Sequence, residues 1–276
     1  MSEPTPAESL RAARAGDSRA FERVFGPHVP KLRGVLRRMV GHPDEVDDLA
    51  QQALLRAFDG LKDYREESSP STWLCAIGAR LAIDHLRQRR RWRERAQVIF
   101  AARCLESPEL GGAVGGALSS PEFCYEVDEH IAYCFACVGR TLDPEPQAAL
   151  VLRDVLGLTN AEAAKALHLS LSTLRHRLRE ARETMQGTYE GLCALVNKEG
   201  VCWQCAGLRE AAPEGAKGPP VPRTIEWSRR LHVVREAALD RGQSAPMHDV
   251  FFRLTAEQEA AGLGDGNIET GCGRED

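Results

Sequence analysis

No run of about eighteen apolar residues occurs in this 276-residue chain, so no membrane-spanning helix and no membrane partner are expected. Met1 to Glu8 form no apolar signal core, so the expected location is the cytoplasm. There is no phosphate-cradling glycine loop and no nucleophile elbow, so no enzyme activity is expected. Aromatics are only 6%, and the glycines and prolines are scattered rather than repeated, which leaves a mostly helical protein as the default. A strongly basic balance is also missing. The net charge of −4 argues against a uniformly basic nucleic-acid binder, although local clusters can still form a basic groove. What the chain does have is nine cysteines, which in a reducing compartment suggest metal binding or redox sensing rather than a disulfide framework.

The stretch that organises the rest runs from Leu158 to Met185. Thr159 can cap a short helix, and Glu162 completes a capping box. His168, Leu169 and Ser170 make a tight turn, with Ser170 as a second cap. The following helix sets Leu171, Leu174, Leu178, Ala181 and Met185 on one face at steps of three and four. Ser172, Thr173, Arg175, His176, Arg177, Arg179 and Arg182 are left to face outward. This pattern predicts a helix-turn-helix whose second helix enters a major groove; the bland alternative is a helical hairpin with a solvated arginine face.

Upstream, apolar positions from Phe21 to Val40 form a helical stripe, which Gly26, Pro27 and Pro30 should split or kink. A helix from about Asp44 to Leu61 should turn Val46, Leu49, Ala53, Leu54, Ala57 and Phe58 inward. Its acidic first turn either complements the helix dipole alone or docks a basic partner. Ser69-Pro70 opens another helix, running to about Arg91 and starting near Trp73. It ends in a cluster of six arginines from Arg87 to Arg95, with Trp92 among them, suited to phosphates and base stacking.

The order of these motifs resembles a family. Val46-Asp47-Asp48-Leu49-Ala50-Gln51-Gln52-Ala53-Leu54-Leu55-Arg56-Ala57-Phe58 is similar to region 2.2 of sigma-70 family factors, in their extracytoplasmic-function class. Ser71-Thr72-Trp73-Leu74, Ile77 and Ile83-Asp84-His85-Leu86-Arg87 resemble regions 2.3 and 2.4, and Leu158 to Arg182 resembles region 4.2. The resemblance implies two helical domains; with the Gly-rich stretch before Pro121 as a flexible linker and an amphipathic, helical C-terminal extension, the expected fold is all-α. The resemblance also implies two partners, core RNA polymerase and promoter DNA, and it needs no cofactor. By position, Asp47, Asp48, Gln51 and Phe58 fall on the polymerase-docking helix. The loop from Tyr64 to Ser71 falls where an extruded −10 base would be captured. Trp73, Arg80, Asp84, Arg87 and Arg90 fall on the strand-binding helix. Ser172, Thr173, Arg175, His176, Arg179 and Arg182 fall where the −35 duplex is read. Arg80 stands where the family commonly has Asn, and Gln52 where an acid is usual.

Four parts are expected: a region 2-like domain over 8–95, a linker over 96–121, a region 4-like domain over 122–190, and a cysteine-containing extension over 191–276. In the second domain His130, Cys134 and Cys137 stand at i, i+4 and i+7. Such a set supplies three of the four ligands of a closed zinc site, and it resembles the zinc motif of certain anti-sigma factors. Cys124, Cys193 or the Cys202–Cys205 pair could complete it; the two Cys-x2-Cys pairs could also form a four-thiolate site or a redox switch, and packing is the remaining alternative. Zinc is thus a possible ligand, and a separate anti-sigma factor a possible partner. Beyond the Pro-rich stretch near Pro222, residues 224–241 and 247–261 form two amphipathic helices too small for their own core. This tail should dock on the body or a partner, where it could occlude the DNA or polymerase face. The rival functional class is a metal- or thiol-responsive repressor using the same helix-turn-helix; a thiol oxidoreductase would need an alternating strand-helix pattern that the sequence lacks.

Overall fold

A computed structural model describes residues 4–41, 43–88, 135–136, 138–192, 231 and 235. The described chain is all-α. The first unit holds α1 (Pro6–Arg14), α2 (Ser18–Phe25), α3 (Val29–Met39), α4 (Pro43–Asp59) and α5 (Pro70–Arg87). The expected break falls where Gly26 and Pro27 stand: a 3-10 turn, Gly26–His28, separates α2 from α3. Pro27 and Pro30 each sit in the first turn of their element, where a missing N–H costs nothing.

α5 is the spine of this unit, packed against both α3 and α4. Ser69 Oγ accepts from Thr72 N at 3.1 Å, and Pro70 occupies the first position. The helix then buries an almost unbroken run from Leu74 to Ala79 and from Leu81 to Ile83. Gly78 makes the close approach possible, because a Cβ there would strike the buried Leu32 side chain of α3. An aromatic group closes one end of the unit. Phe21 stacks on Phe25 at 4.7 Å, Phe58 meets Phe21 edge-on at 5.2 Å, and Tyr64 lies 4.8 Å from Trp73.

The second unit holds α6 (Pro144–Leu150), continued as a π-helical turn Val151–Val155, then α7 (Asn160–Ala166) and α8 (Leu171–Leu192). Gly157, at φ +79°, takes a left-handed backbone that suits glycine and ends the π turn. The expected capping box is present: Thr159 Oγ1 accepts from Glu162 N at 3.2 Å, and Thr159 N donates to the Glu162 carboxylate at 2.8 Å. α7 and α8 are joined by a turn in which His168 has φ +55°. Leu174, Leu178, Ala181 and Met185 face the core, as their spacing predicts, each large side chain contributing about 1.5–3 kcal/mol. Leu171 does not. It is 40% exposed, because the first residue of a helix has no preceding turn to pack upon.

The two units share one hydrophobic core, with α5 against α6 and α7. No described helix is long and apolar enough to cross a membrane.

Candidate nucleic-acid and polymerase interface

On α8 the outward row is Ser172, Thr173, Arg175, His176 and Arg179, all exposed. Ser170 fixes the start of this row, accepting from Thr173 N at 3.1 Å. Arg179 Nη2 lies 3.3 Å from His176 Nδ1, one turn back on the same face. Arg182 continues the row two turns along, but it is already engaged. Its Nε and Nη2 form a fork on Asp154, at 2.8 and 2.6 Å. Asp154 is buried, and its hydrogen bonds raise the Arg182 pKa further. Arg182 therefore ties α8 to the π turn beneath it.

Helix α5, where the strand contacts are expected, carries Arg80, Asp84 and Arg87. Asp84 is exposed and pairs with Arg87 at 3.3 Å. Trp73 is half-buried within the aromatic group. Arg80 and Arg87 both reach the second unit. Arg80 Nη1 donates to the carbonyl of Ala166, at the end of α7, at 2.7 Å, and burial followed by the nearby Arg56 charge lowers its pKa. Arg87 Nη2 meets Glu145 at 2.5 Å, and Arg177 of α8 approaches the same carboxylate at 3.6 Å. Arg90 lies outside the described residues.

The loop after α4 is held from both sides. Tyr64 is buried and donates its hydroxyl to Ser68 O at 2.6 Å; burial first, then Glu66, raises its pKa against the opposing pull of Arg14. Arg14 of α1 donates to Tyr64 O at 2.6 Å and pairs with Glu66 at 3.0 Å. Glu66, at φ +59°, stands at the loop's sharpest point. Glu67 is paired with Lys165 of α7, which lowers the Glu67 pKa. The loop thus has partners elsewhere in the fold at Tyr64, Glu66 and Glu67.

Further contacts close the two units upon each other at a buried site. Gln147 is 1% exposed, and its Nε2 donates to the carbonyls of Met39 at 2.9 Å and Arg38 at 3.3 Å. These carbonyls belong to the end of α3, where a helix leaves acceptors without intrahelical donors. Arg38 itself is buried, which pushes its guanidinium down to about 10.

On α4, Asp48 and Gln51 are exposed, while Asp47 is paired with Arg33 of α3. Phe58 turns toward the core, half-buried against Phe21. Sequence reasoning missed Leu55, which is 59% exposed. Its spacing from Asp48, Gln51 and Gln52 at steps of three and four puts it on their face. A leucine at an outward position of an acid-led helix was the available signal.

His130, Cys134, Cys137, Cys202 and Cys205, with Cys124 and Cys193, all lie outside the described residues, as do the expected linker and most of the extension. Among the described residues no group of three His, Cys, Asp or Glu side chains could hold a metal. Cys75 is free and buried within α5, and burial pushes its thiol up to about 11.

Comparison with known proteins agrees with this arrangement. The family model for Sigma-70 region 2 matches residues 24–92, and that for Sigma-70 region 4 matches residues 136–185. The chain is 30% identical over 186 residues to the RNA polymerase sigma-H factor of Pseudomonas aeruginosa, covering 66% of this chain and 93% of that one. It is 29% identical over 181 residues to RNA polymerase sigma factor CnrH of Cupriavidus metallidurans, covering 65% and 92%. It is 28% identical over 183 residues to the ECF RNA polymerase sigma-E factor of Escherichia coli, covering 66% and 93%. These matches give the repressor reading no support. The chain belongs to the sigma-70 family of RNA polymerase sigma factors, in its extracytoplasmic-function class, and is a promoter-specificity factor that binds core RNA polymerase and promoter DNA to direct transcription initiation.

Proposed function

We propose that promoter DNA is held at two places, the −35 duplex by α8 and the −10 strand by α5, with α4 docking on polymerase. The observation that carries this reading is the row on α8: five polar and basic side chains face solvent while Leu174, Leu178, Ala181 and Met185 hold the opposite face in the core. Ser172, Thr173, Arg175, His176 and Arg179 then meet phosphates and base edges in the major groove. Arg182 sets the pose of α8 through Asp154 and extends the row toward the phosphates. On α5, Arg80, Asp84, Arg87 and Trp73 contact the opened strand, and Arg90 extends that surface. On α4, Asp47, Asp48, Gln51 and Leu55 form the docking face, with Phe58 bracing it from behind.

Arg80 and Arg87 are turned toward Ala166 and Glu145 in the described arrangement, which we read as a closed state that opens for promoter binding. The chain supplies no chemistry of its own on this reading. It works in the cytoplasm alongside polymerase, and an anti-sigma protein would act by favouring the closed state. The domain limits 8–95 and 122–190 are kept as the functional units. The cysteines outside the described residues are a candidate zinc or thiol sensor, for which metal analysis of the purified chain, expecting about one zinc, is the direct test. The whole reading is tested by pull-down with core RNA polymerase followed by run-off transcription. Retention on polymerase with promoter-dependent transcripts is the expected result, and failure to bind core enzyme would defeat it.

A further inference from the structure

We propose that the C-terminal segment of this chain docks in cis on the helix-turn-helix unit, through Leu231 and Arg235, and steadies the DNA-reading helix by holding Asp154. Both residues lie well beyond residue 185, where the region 4 match ends. Leu231 is only 6% exposed and is part of the common hydrophobic core. Arg235 donates from Nε to the main-chain carbonyl of Asp154 at 2.6 Å. Leu231 thus supplies an apolar anchor and Arg235, four positions on, a charged donor.

The acceptor is well chosen physically. Asp154 lies in the last turn of the π-helical segment Val151–Val155. The carbonyls of a terminal turn have no intrahelical donor and carry the negative end of the helix dipole, so a guanidinium there is favourable twice over. The turn is irregular as well: Leu156 N bonds to Val151 O, and Leu158 N reaches back to Leu152 O.

Asp154 is therefore gripped at both ends. Its main chain takes Arg235 of the C-terminal segment, and its carboxylate takes the fork of Arg182 from α8. Whatever fixes Asp154 fixes Arg182, and Arg182 sets the seat of α8. The contact need not cover the DNA-reading row. Arg182 stands seven residues beyond Arg175, roughly 10 Å along the helix axis.

This clamp on Asp154 rests on the reading of α8 as the duplex reader, so the test has one readout that needs no DNA. The full chain is compared with Arg235→Ala, Leu231→Ala, the double variant, and Arg235→Lys. Amide hydrogen exchange is followed over residues 151–158 and 171–189, and binding to a labelled mixed-sequence duplex at low salt is followed by fluorescence anisotropy. Arg235→Ala should exchange about tenfold faster over 151–158 and bind duplex about tenfold more weakly, the loss of roughly one charge-assisted hydrogen bond. The double variant, which also loses the Leu231 anchor, should do so by more. Arg235→Lys, which keeps a charged donor, should fall between wild type and Arg235→Ala. Unchanged exchange over 151–158 in the double variant overturns the docking. Faster exchange with unchanged or tighter DNA binding overturns the clamp. A wild-type chain that binds no duplex removes the reading of α8 and the clamp with it, while the exchange data still decide the docking.

Discussion

Replacing Gln147 with alanine removes a buried side chain that joins the two units by hydrogen bonds to main-chain carbonyls of α3. Gln147 is 1% exposed and makes two such bonds, one at 2.9 Å to Met39 O and a longer one at 3.3 Å to Arg38 O. A neutral hydrogen bond contributes about 0.5–1.5 kcal/mol net, and the longer bond belongs at the low end. The pair is thus worth about 1–2 kcal/mol to the closed state, a shift of roughly five- to thirtyfold in the closed-to-open ratio. The exposed pairs Arg87–Glu145 and Lys165–Glu67 are each worth less than about 1 kcal/mol, so the shared core is the main contact left to hold the closed state. Small-angle scattering on the full-length variant should show a larger radius of gyration than wild type. The same variant should bind duplex more tightly, because Arg87 and Lys165 are then released from Glu145 and Glu67, their acidic partners on the other unit. Circular dichroism separates opening from unfolding, since α-helical content should be unchanged. Identical scattering and identical DNA affinity in a folded Gln147→Ala protein would refute the argument that Gln147 holds the units closed.

Charge reversal at Asp47 and Asp48 should weaken binding to core polymerase about tenfold or more while leaving helicity unchanged, as read by pull-down and circular dichroism; retained binding would remove α4 as the docking face. Arg175→Ala and Arg179→Ala should each reduce the slope of log affinity against log salt by about one if the side chain meets a phosphate, and leave it nearly unchanged while relaxing sequence preference if it meets a base. Cys75, with its thiol pushed up to about 11, should resist alkylation at pH 8 in the folded protein and react once the chain is unfolded. Labelling of Cys75 in the native state, read by peptide mass mapping, would show that α5 opens locally. Gly78→Ala should lower stability by about 1–3 kcal/mol in urea titrations through overpacking against Leu32.

Much of the architecture was legible because it is written in short-range chemistry. The Thr159–Glu162 capping box, the Ser69-Pro70 helix start and the Gly26-Pro27 break each involve residues within four positions of one another, and each is present as expected. The Thr5–Glu8 box that starts α1 was equally readable, yet that helix was not read from the sequence. Long-range pairings are another matter. Nothing in helical periodicity shows that Arg182 will be met by Asp154, 28 residues away, or that Arg80 will donate to a carbonyl 86 residues away. Periodicity did separate Phe58 from Leu55, three apart on α4: Phe58 turns inward against Phe21 as its spacing predicts, and Leu55 stays exposed. The family resemblance gave the roles of the helices, and only the fold shows which side chains are already occupied.

The long-range donors Gln147, Arg80 and Arg235 share one habit, since each gives its hydrogen bond to a main-chain oxygen. A main-chain oxygen is present whatever amino acid occupies the position. The acceptor sites Met39, Arg38, Ala166 and Asp154 can therefore mutate without erasing the contact, provided the helix there is kept. Genetically, these connections are fragile on one side only. A screen for second-site revertants of Gln147→Ala should return changes that strengthen other contacts between the units, and none that restore a bond through a new side chain at Arg38 or Met39.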